Sequence, residues 1–253
     1  MPNKSNTNQD INPESPPPPM VVASGTQLDQ QLSSLRRRLI REASQATDLL
    51  TQSLDVLWNS DSEGAKEVKK IEKLIDAEEV RIEQECFRIL ALQTPFGADF
   101  RLITFSLKVN SDIERLADHA SSIAKISKKF DNPNPDWPES LREMGERVPV
   151  MCQELLRAVI GADIGAANEV VKRDAIIDQL DKQTFKDLAE KIETDPLHAS
   201  DYMLMYRISR ELERVGDLLG NIAEDIIYLV TGDIVRHAPK KKKIKTKSDK
   251  LDS

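Results

Sequence analysis

Two short acidic motifs recur in the sequence with the same internal spacing. Glu114 and Asp118 lie four residues apart within a Glu-Arg-x-x-Asp motif, and Glu213 and Asp217 repeat the motif ninety-nine positions later. Four residues is about one helical turn, so the two carboxylates of each pair share one face of a helix. Like charges at this spacing destabilise an isolated helix by roughly 0.2–0.5 kcal/mol. Helix propensity alone therefore does not explain why the motif occurs twice.

A second pair of acidic motifs shows the same duplication. Residues 67–76 (EVKKIEKLID) resemble residues 169–178 (EVVKRDAIID). Each stretch again contains two acids four residues apart, namely Glu72 and Asp76 in the first and Asp174 and Asp178 in the second. If neighbouring helices pack as a hairpin, four carboxylates meet in each half. Carboxylates crowded in this way must retain protons or bind a cation, and their oxygens suit hard ions such as magnesium, calcium, manganese or iron.

Other side chains near these acids could supply further oxygen ligands. Asn221 and Glu224 lie one and two turns beyond Asp217 on the same predicted helix. Glu79 and Asp181 occupy equivalent positions on the other helix of each half and are additional candidates.

Two simpler interpretations of the acids stay open at this stage. Arg115, Arg214 and Arg210 lie close enough in sequence to neutralise them in ordinary salt bridges, and the acids could also line a solvated helix face. His119 is expected to be a surface histidine. The sequence lacks the Glu-x-x-His pairs of di-iron bundles, glycine-rich phosphate loops and Gly-x-Ser-x-Gly motifs, so a non-catalytic protein is favoured.

Apolar residues recur every three or four positions through most of the chain, which predicts an all-α fold. Helices are predicted at about 28–57, 65–93, 96–130, 137–160, 166–193 and 197–230, with Asp136 as an N-cap and Pro138 in the first turn of the fourth. The prolines between the third and fourth helices separate two tandem three-helix bundles related by internal pseudo-symmetry. The predicted organisation is a disordered extension at 1–25, repeats at 26–132 and 136–236, and a basic disordered tail at 237–253.

Charge and composition narrow the functional classes. The formal net charge is −7, although residues 240–253 contain seven lysines, so the rest of the chain is strongly acidic and unsuited to nucleic-acid binding. There is no signal-peptide pattern and no apolar run of bilayer length, and the two cysteines, Cys86 and Cys152, are expected to be reduced and buried. We therefore expect a cytoplasmic protein with at most peripheral contact with a membrane. As a separate expectation, the protein forms a homodimer.

Two longer stretches carry a family resemblance. Residues 93–124 (QTPFGADFRLITFSLKVNSDIERLADHASSIA) and 203–237 (MLMYRISRELERVGDLLGNIAEDIIYLVTGDIVRH) closely resemble the PhoU family of phosphate-transport accessory and regulatory proteins. The resemblance implies two PhoU-type bundles whose paired acidic motifs bind multinuclear clusters of divalent or trivalent metal ions in some members. One site would then use Glu72, Asp76, Glu114 and Asp118, and the other Asp174, Asp178, Glu213 and Asp217.

The resemblance also implies a function. It indicates a negative regulator of the phosphate-starvation response that links the ATPase subunit of the high-affinity phosphate ABC transporter to a phosphate-sensing histidine kinase. One alternative is an accessory protein of a different phosphate carrier. Another, from a different class, is a metal-dependent phosphohydrolase that would use a hydroxide held between two ions.

Overall fold

A computed structural model of the chain describes residues 26–132 and 135–233, and within these ranges all regular structure is helical. This confirms the predicted all-α class. A 3₁₀ turn, Pro196–His198, precedes the last helix. The six long helices are α1 (Gln27–Trp58), α2 (Gly64–Gln93), α3 (Gly97–Ser127), α4 (Glu139–Gly161), α5 (Ile164–Thr194) and α6 (Ala199–Thr231). The extension and tail predicted at 1–25 and 237–253 lie outside the described residues.

Local sequence explains where several helices begin. Thr26 and Asp29 form a capping box, in which the Thr26 hydroxyl accepts from the Asp29 amide and the Asp29 carboxylate accepts from the Thr26 amide, both at 3.1 Å. The Asp163 carboxylate caps α5 by accepting from the Ala166 amide at 3.0 Å. The prediction for α4 was wrong in detail. Pro138 has extended backbone angles and precedes the helix, so neither Asp136 as N-cap nor Pro138 in the first turn is correct.

Each half packs three helices against one another. Helix α1 contacts α2 and α3, and α2 contacts α3 across the short connection that follows Gln93. Helices α4, α5 and α6 repeat this arrangement in the second half. Because each connection between the second and third helix is short, those two helices run antiparallel, and their acidic motifs meet near mid-length.

The two halves share one hydrophobic core. Helix α3 packs against α6 and α1 against α4, and a single cluster of buried apolar side chains includes residues from all six helices. Leu54, Ile75, Ile123, Leu141, Val170 and Leu212 represent the six helices in it. A smaller cluster, which contains Cys86, fills the far end of the first half. The predicted burial of Cys86 and Cys152 is confirmed.

The proline-rich connection between the halves is fixed to the core at its described ends. Trp137 makes edge-to-face contacts with Trp58 and Phe130, with ring centroids 5.0 and 5.1 Å apart. The buried Asp201 carboxylate accepts hydrogen bonds from the Asp131 and Asn132 amides at 3.2 and 3.3 Å. The Trp137–Trp58 contact joins the start of α4 to the end of α1, and the Asp201 hydrogen bonds join the connection to α6. No helix within the described ranges is long and apolar enough to cross a bilayer.

The shared core predicts that the two halves unfold together. Leu212 is fully buried in that core, so Leu212→Ala should lower the free energy of unfolding by about 2–5 kcal/mol. Calorimetry should show one transition, shifted to lower temperature as a whole. Leu74→Ala is the matched control, because Leu74 is 67% exposed and its loss should change the free energy of unfolding by less than about 0.5 kcal/mol. Two separated transitions, only one of them shifted, would contradict the shared core.

Candidate metal centre

The first half gathers three carboxylates at the interface of α2 and α3. Glu72 and Asp76 of α2 and Asp118 of α3 each offer one oxygen, and these three oxygens lie within 4.8 Å of one another. Glu72 is buried, Asp76 is half-buried and Asp118 is exposed. The group therefore extends from the helix interface to the surface, where an ion could enter. We call it the first acidic group.

The second half repeats this arrangement at the interface of α5 and α6. Asp178 of α5 and Glu213 and Asp217 of α6 bring one oxygen each to within 4.8 Å of one another. We call this the second acidic group. It takes one acid from the second helix of its half and two from the third, whereas the first acidic group takes two and one. The predicted meeting of acidic motifs from neighbouring helices therefore occurs in both halves.

Two of the eight predicted acids lie beside these groups rather than in them. Glu114 is half-buried, and its pKa is raised by burial and by the negative charges of Asp118 and Asp76. Asp174 lies against α6, because a Cβ added at Gly216 would be 3.2 Å from its Oδ1. Both acids are thus adjacent to the expected positions, and their role as ligands stays a prediction.

The further ligands predicted from sequence lie outside the two acidic groups, and their role as ligands stays a prediction. Asn221 is exposed, and the half-buried Glu224 is not among the gathered carboxylates. Asp181 is buried, but its two oxygens accept from the Ser209 hydroxyl at 2.7 Å and from Arg210 at 2.9 Å. Asp181 is therefore already neutralised, and the prediction that it contributes to the site is not supported by its contacts.

Among the described residues, one basic side chain is in direct contact with each acidic group. The Lys69 ammonium bonds both oxygens of Glu72, and Arg210 lies 3.0 Å from Glu213 as well as contacting Asp181. Arg115, by contrast, is exposed and lies 3.7 Å from Asp112. The salt-bridge interpretation is thus correct in part, since Arg210 pairs with Glu213 as predicted, while Lys69 and Lys73 both lower the pKa of Asp76. In each group the acids still outnumber the basic side chains in direct contact with them.

One oxygen in each acidic group is buried without a hydrogen-bond donor. Within the described residues, Asp76 Oδ1 and Glu213 Oε2 have no hydrogen-bond partner. A buried carboxylate oxygen without a donor is unfavourable by about 1–3 kcal/mol or more. Burial is the main cause of the raised pKa values of Asp76, Glu213 and Asp217, and a neighbouring carboxylate raises each of them further. A hard cation would satisfy these oxygens and neutralise the excess charge, so the residues fit a metal ion.

His119 does not behave as the surface side chain that was expected. Its Nδ1 lies 2.6 Å from Glu211 Oε2, and both side chains are mostly buried between α3 and α6. The prediction failed because the partner is ninety-two residues away in sequence. His119 therefore joins the two halves.

Both halves of the chain match one known protein family. The family model described as the PhoU domain matches residues 39–127 and 141–226, one match in each half and together more than half of the chain. The chain belongs to the PhoU family. This confirms the resemblance and explains why two three-helix halves carry corresponding acidic groups.

Individual relatives agree with this membership. The phosphate-specific transport system accessory protein PhoU homolog of Deinococcus radiodurans is 32% identical over 73% of this chain and 87% of its own length. The crystal structure of PhoU from Pseudomonas aeruginosa superposes with a TM-score of 0.78 at 31% identity, covering 82% of this chain and all of that one. The phosphate transport system regulatory protein PhoU from Streptococcus pneumoniae gives 0.76 at 27% identity, covering 83% and 99% of the two chains.

Sequence reasoning missed two charged residues near the first acidic group. Lys69 precedes Glu72 by three positions, a spacing that places the two side chains side by side on a helix. Glu42 lies on the apolar stripe of α1, between Leu39 and Ala46, and is fully buried. A lone acid on an apolar stripe was the available signal for it.

The raised pKa of Asp76 predicts a pH-dependent stability in chelator-treated protein. In the folded state the pKa of Asp76 lies above its ordinary value of 3.8, so the folded protein binds this proton more tightly than the unfolded chain does. Asp76 therefore favours folding at low pH, and this contribution is lost as the pH rises through the folded-state pKa. Without metal, Asp76→Asn should therefore be more stable than the unsubstituted protein at pH 7, and the difference should shrink towards pH 4. Thermal unfolding in EDTA across this range measures it.

The control for this experiment is Glu67→Gln. Glu67 is exposed and paired with Lys70, so Glu67→Gln should not show the gain in stability at pH 7 that is expected for Asp76→Asn. A stability difference between Asp76→Asn and the unsubstituted protein that stays constant from pH 4 to pH 7 would contradict the raised pKa.

Proposed function

We propose that this protein is an accessory and regulatory protein of a phosphate-specific transport system and a negative regulator of the phosphate-starvation response. The observation that carries the proposal is the match of both halves to the PhoU domain. Relatives aligned over most of this chain are named as accessory proteins of phosphate-specific transport. The proposed role is to link the ATPase subunit of the phosphate ABC transporter to a phosphate-sensing histidine kinase in the cytoplasm.

The proposed action is non-catalytic and depends on the two acidic groups. Glu72, Asp76 and Asp118 would hold a metal ion in the first half, and Asp178, Glu213 and Asp217 would do so in the second. A bound ion, such as iron, manganese or magnesium, supplies positive charge that the carboxylates share. Without it, like charges repel across the α2–α3 and α5–α6 interfaces.

Cation occupancy would then set how rigidly each helix pair is held. A rigid bundle presents a fixed surface to the transporter ATPase and to the kinase, and a loosened one does not. The predicted homodimer would present two such surfaces. In this proposal the phosphate signal is transmitted when the protein binds the transporter ATPase and the kinase, and the acidic groups control the shape of the binding surface.

Metal binding by the two acidic groups can be measured directly. We expect chelator-treated protein to take up Mn²⁺ or Fe²⁺ and to gain thermal stability in doing so. Asp118→Asn should remove the uptake of the first half, Asp217→Asn that of the second, and the double variant nearly all of it. Glu67→Gln lies on the same helix as Glu72, is exposed, and should leave uptake unchanged. Elemental analysis after gel filtration gives the stoichiometry, and equal uptake by the unsubstituted protein, the two single aspartate variants and the double variant would contradict the assignment.

Regulation is tested in cells that lack the endogenous gene. In phosphate-rich medium, a reporter of phosphate-starvation genes should be active without this protein and repressed several-fold when it is restored. The Asp118→Asn/Asp217→Asn variant, if produced at the same level, should repress less. Full repression by an unrelated helical protein, or none by the restored protein, would overturn the proposed regulation.

A further inference from the structure

Glu42 is a charged residue buried in the first half without a partner. It lies in the middle of α1 and has an exposed fraction of 0%. Neither of its carboxylate oxygens has a hydrogen-bond partner among the described residues. A buried carboxylate in this state is strongly unfavourable, so the site requires something that neutralises it.

The acids around Glu42 further disfavour its ionised form. Burial is the main cause that raises its pKa, to about 8, and the nearby charges of Glu78 and Glu79 raise it further, with a smaller effect from Glu114. Arg38 opposes this shift, but its guanidinium bonds Glu78 at 2.7 Å. Arg38 lies one turn before Glu42 on α1, so its contact with Glu78 shows that this part of α1 faces α2.

A second unsatisfied acceptor lies on α3, the helix that carries Glu114. Asn110 is buried, and its amide nitrogen donates to the backbone carbonyl of Glu79 at 2.9 Å. Its Oδ1 has no hydrogen-bond partner within the described residues. The same part of the first half thus contains three acceptor oxygens, two on Glu42 and one on Asn110, that lack donors.

At the positions equivalent to Glu42, Asn110 and Glu79, the second half has side chains that contact one another, although Glu213, the counterpart of Glu114, keeps Oε2 without a partner among the described residues. The repeat spacing places Met144 at the position of Glu42, Ser209 at that of Asn110 and Asp181 at that of Glu79. The Ser209 hydroxyl lies 3.3 Å from Met144 Sδ and donates to Asp181 at 2.7 Å. Arg210 completes the neutralisation of Asp181 at 2.9 Å, whereas its counterpart in the first half is Ser111.

This contrast between the halves is informative because the helices are otherwise equivalent. In the second half the Asp181 carboxylate accepts from a hydroxyl and an arginine, and a thioether stands where Glu42 stands in the first half. In the first half Glu42 takes the place of the thioether, Asn110 that of the hydroxyl and Ser111 that of the arginine. Carboxyl and amide oxygens from three helices, several of them without hydrogen-bond partners, are the ligand type that hard divalent cations prefer.

We propose that the first half binds an additional divalent cation, deeper than the first acidic group, through Glu42, Glu79 and Glu114 with Asn110 Oδ1. The inference rests on the metal binding in the proposed function and deepens it. Glu42 is not among the carboxylates already within 4.8 Å of one another, so the cation must draw these side chains together against their repulsion. The two halves then differ in capacity, and the first binds one cation more than the second.

The test is a Mn²⁺ titration of the full-length, chelator-treated protein at pH 7. Equilibrium dialysis should show one Mn²⁺ fewer per chain in Glu42→Gln than in the unsubstituted protein. Glu42→Met, which copies the residue found in the second half, should lose the same equivalent. Both substitutions remove a buried carboxyl group whose oxygens have no hydrogen-bond partner among the described residues, so both variants should fold and, in EDTA, unfold at a temperature no lower than the unsubstituted protein.

A matched variant separates this site from the others. Asp217→Asn should lose the cation of the second half and keep the equivalent that depends on Glu42, and the combination with Glu42→Gln should lose both. Equal Mn²⁺ stoichiometry in Glu42→Gln and the unsubstituted protein would overturn the inference and assign Glu42 a retained proton instead. An unsubstituted protein that binds no Mn²⁺ would overturn it as well.

These outcomes distinguish the inference from the proposed function. If Mn²⁺ binds and only the Glu42 variants behave like the unsubstituted protein, the deeper site fails while metal binding by the two acidic groups stands. If no variant or unsubstituted protein binds metal but the cellular reporter is repressed, the regulatory role stands without metal.

Discussion

Repulsion between carboxylates on facing helices is the constraint on which the rest of the structure depends. Each half presses three acids together at the interface of its second and third helices and supplies one basic side chain to balance them. Asp76 Oδ1 and Glu213 Oε2 are left without donors among the described residues. A proton or a cation at either oxygen would supply the missing partner and reduce the repulsion between the acids.

The shared core is what allows this repulsion to be tolerated. Apolar side chains from all six helices form one cluster, and the His119–Glu211 contact joins α3 to α6 within a few residues of both acidic groups. Separating α2 from α3 would expose part of that cluster to water. The hydrophobic effect thus holds the acids near one another, and the acids in turn favour a bound cation over an open interface.

Duplication has produced two halves that are alike in backbone and different in charge. Lys69 of α2 balances the first acidic group, whereas Arg210 of α6 balances the second and also neutralises Asp181. Glu42 and Met144 are both buried at equivalent positions, but the carboxyl group of Glu42 needs polar partners and the thioether of Met144 does not. The two halves therefore share the PhoU fold but differ in the charges buried at equivalent positions.

The helical class, the twofold repeat and the paired acids were all predictable from residue spacing, because spacing along each helix fixes which side chains share a face. The sequence also indicated the family. The tertiary structure decided which three of four acids meet in each half, why Asp181 is already neutralised by Arg210, and that His119 contacts Glu211. Those outcomes depend on how each helix is rotated about its axis by packing against partners distant in sequence, and no local pattern encodes that rotation.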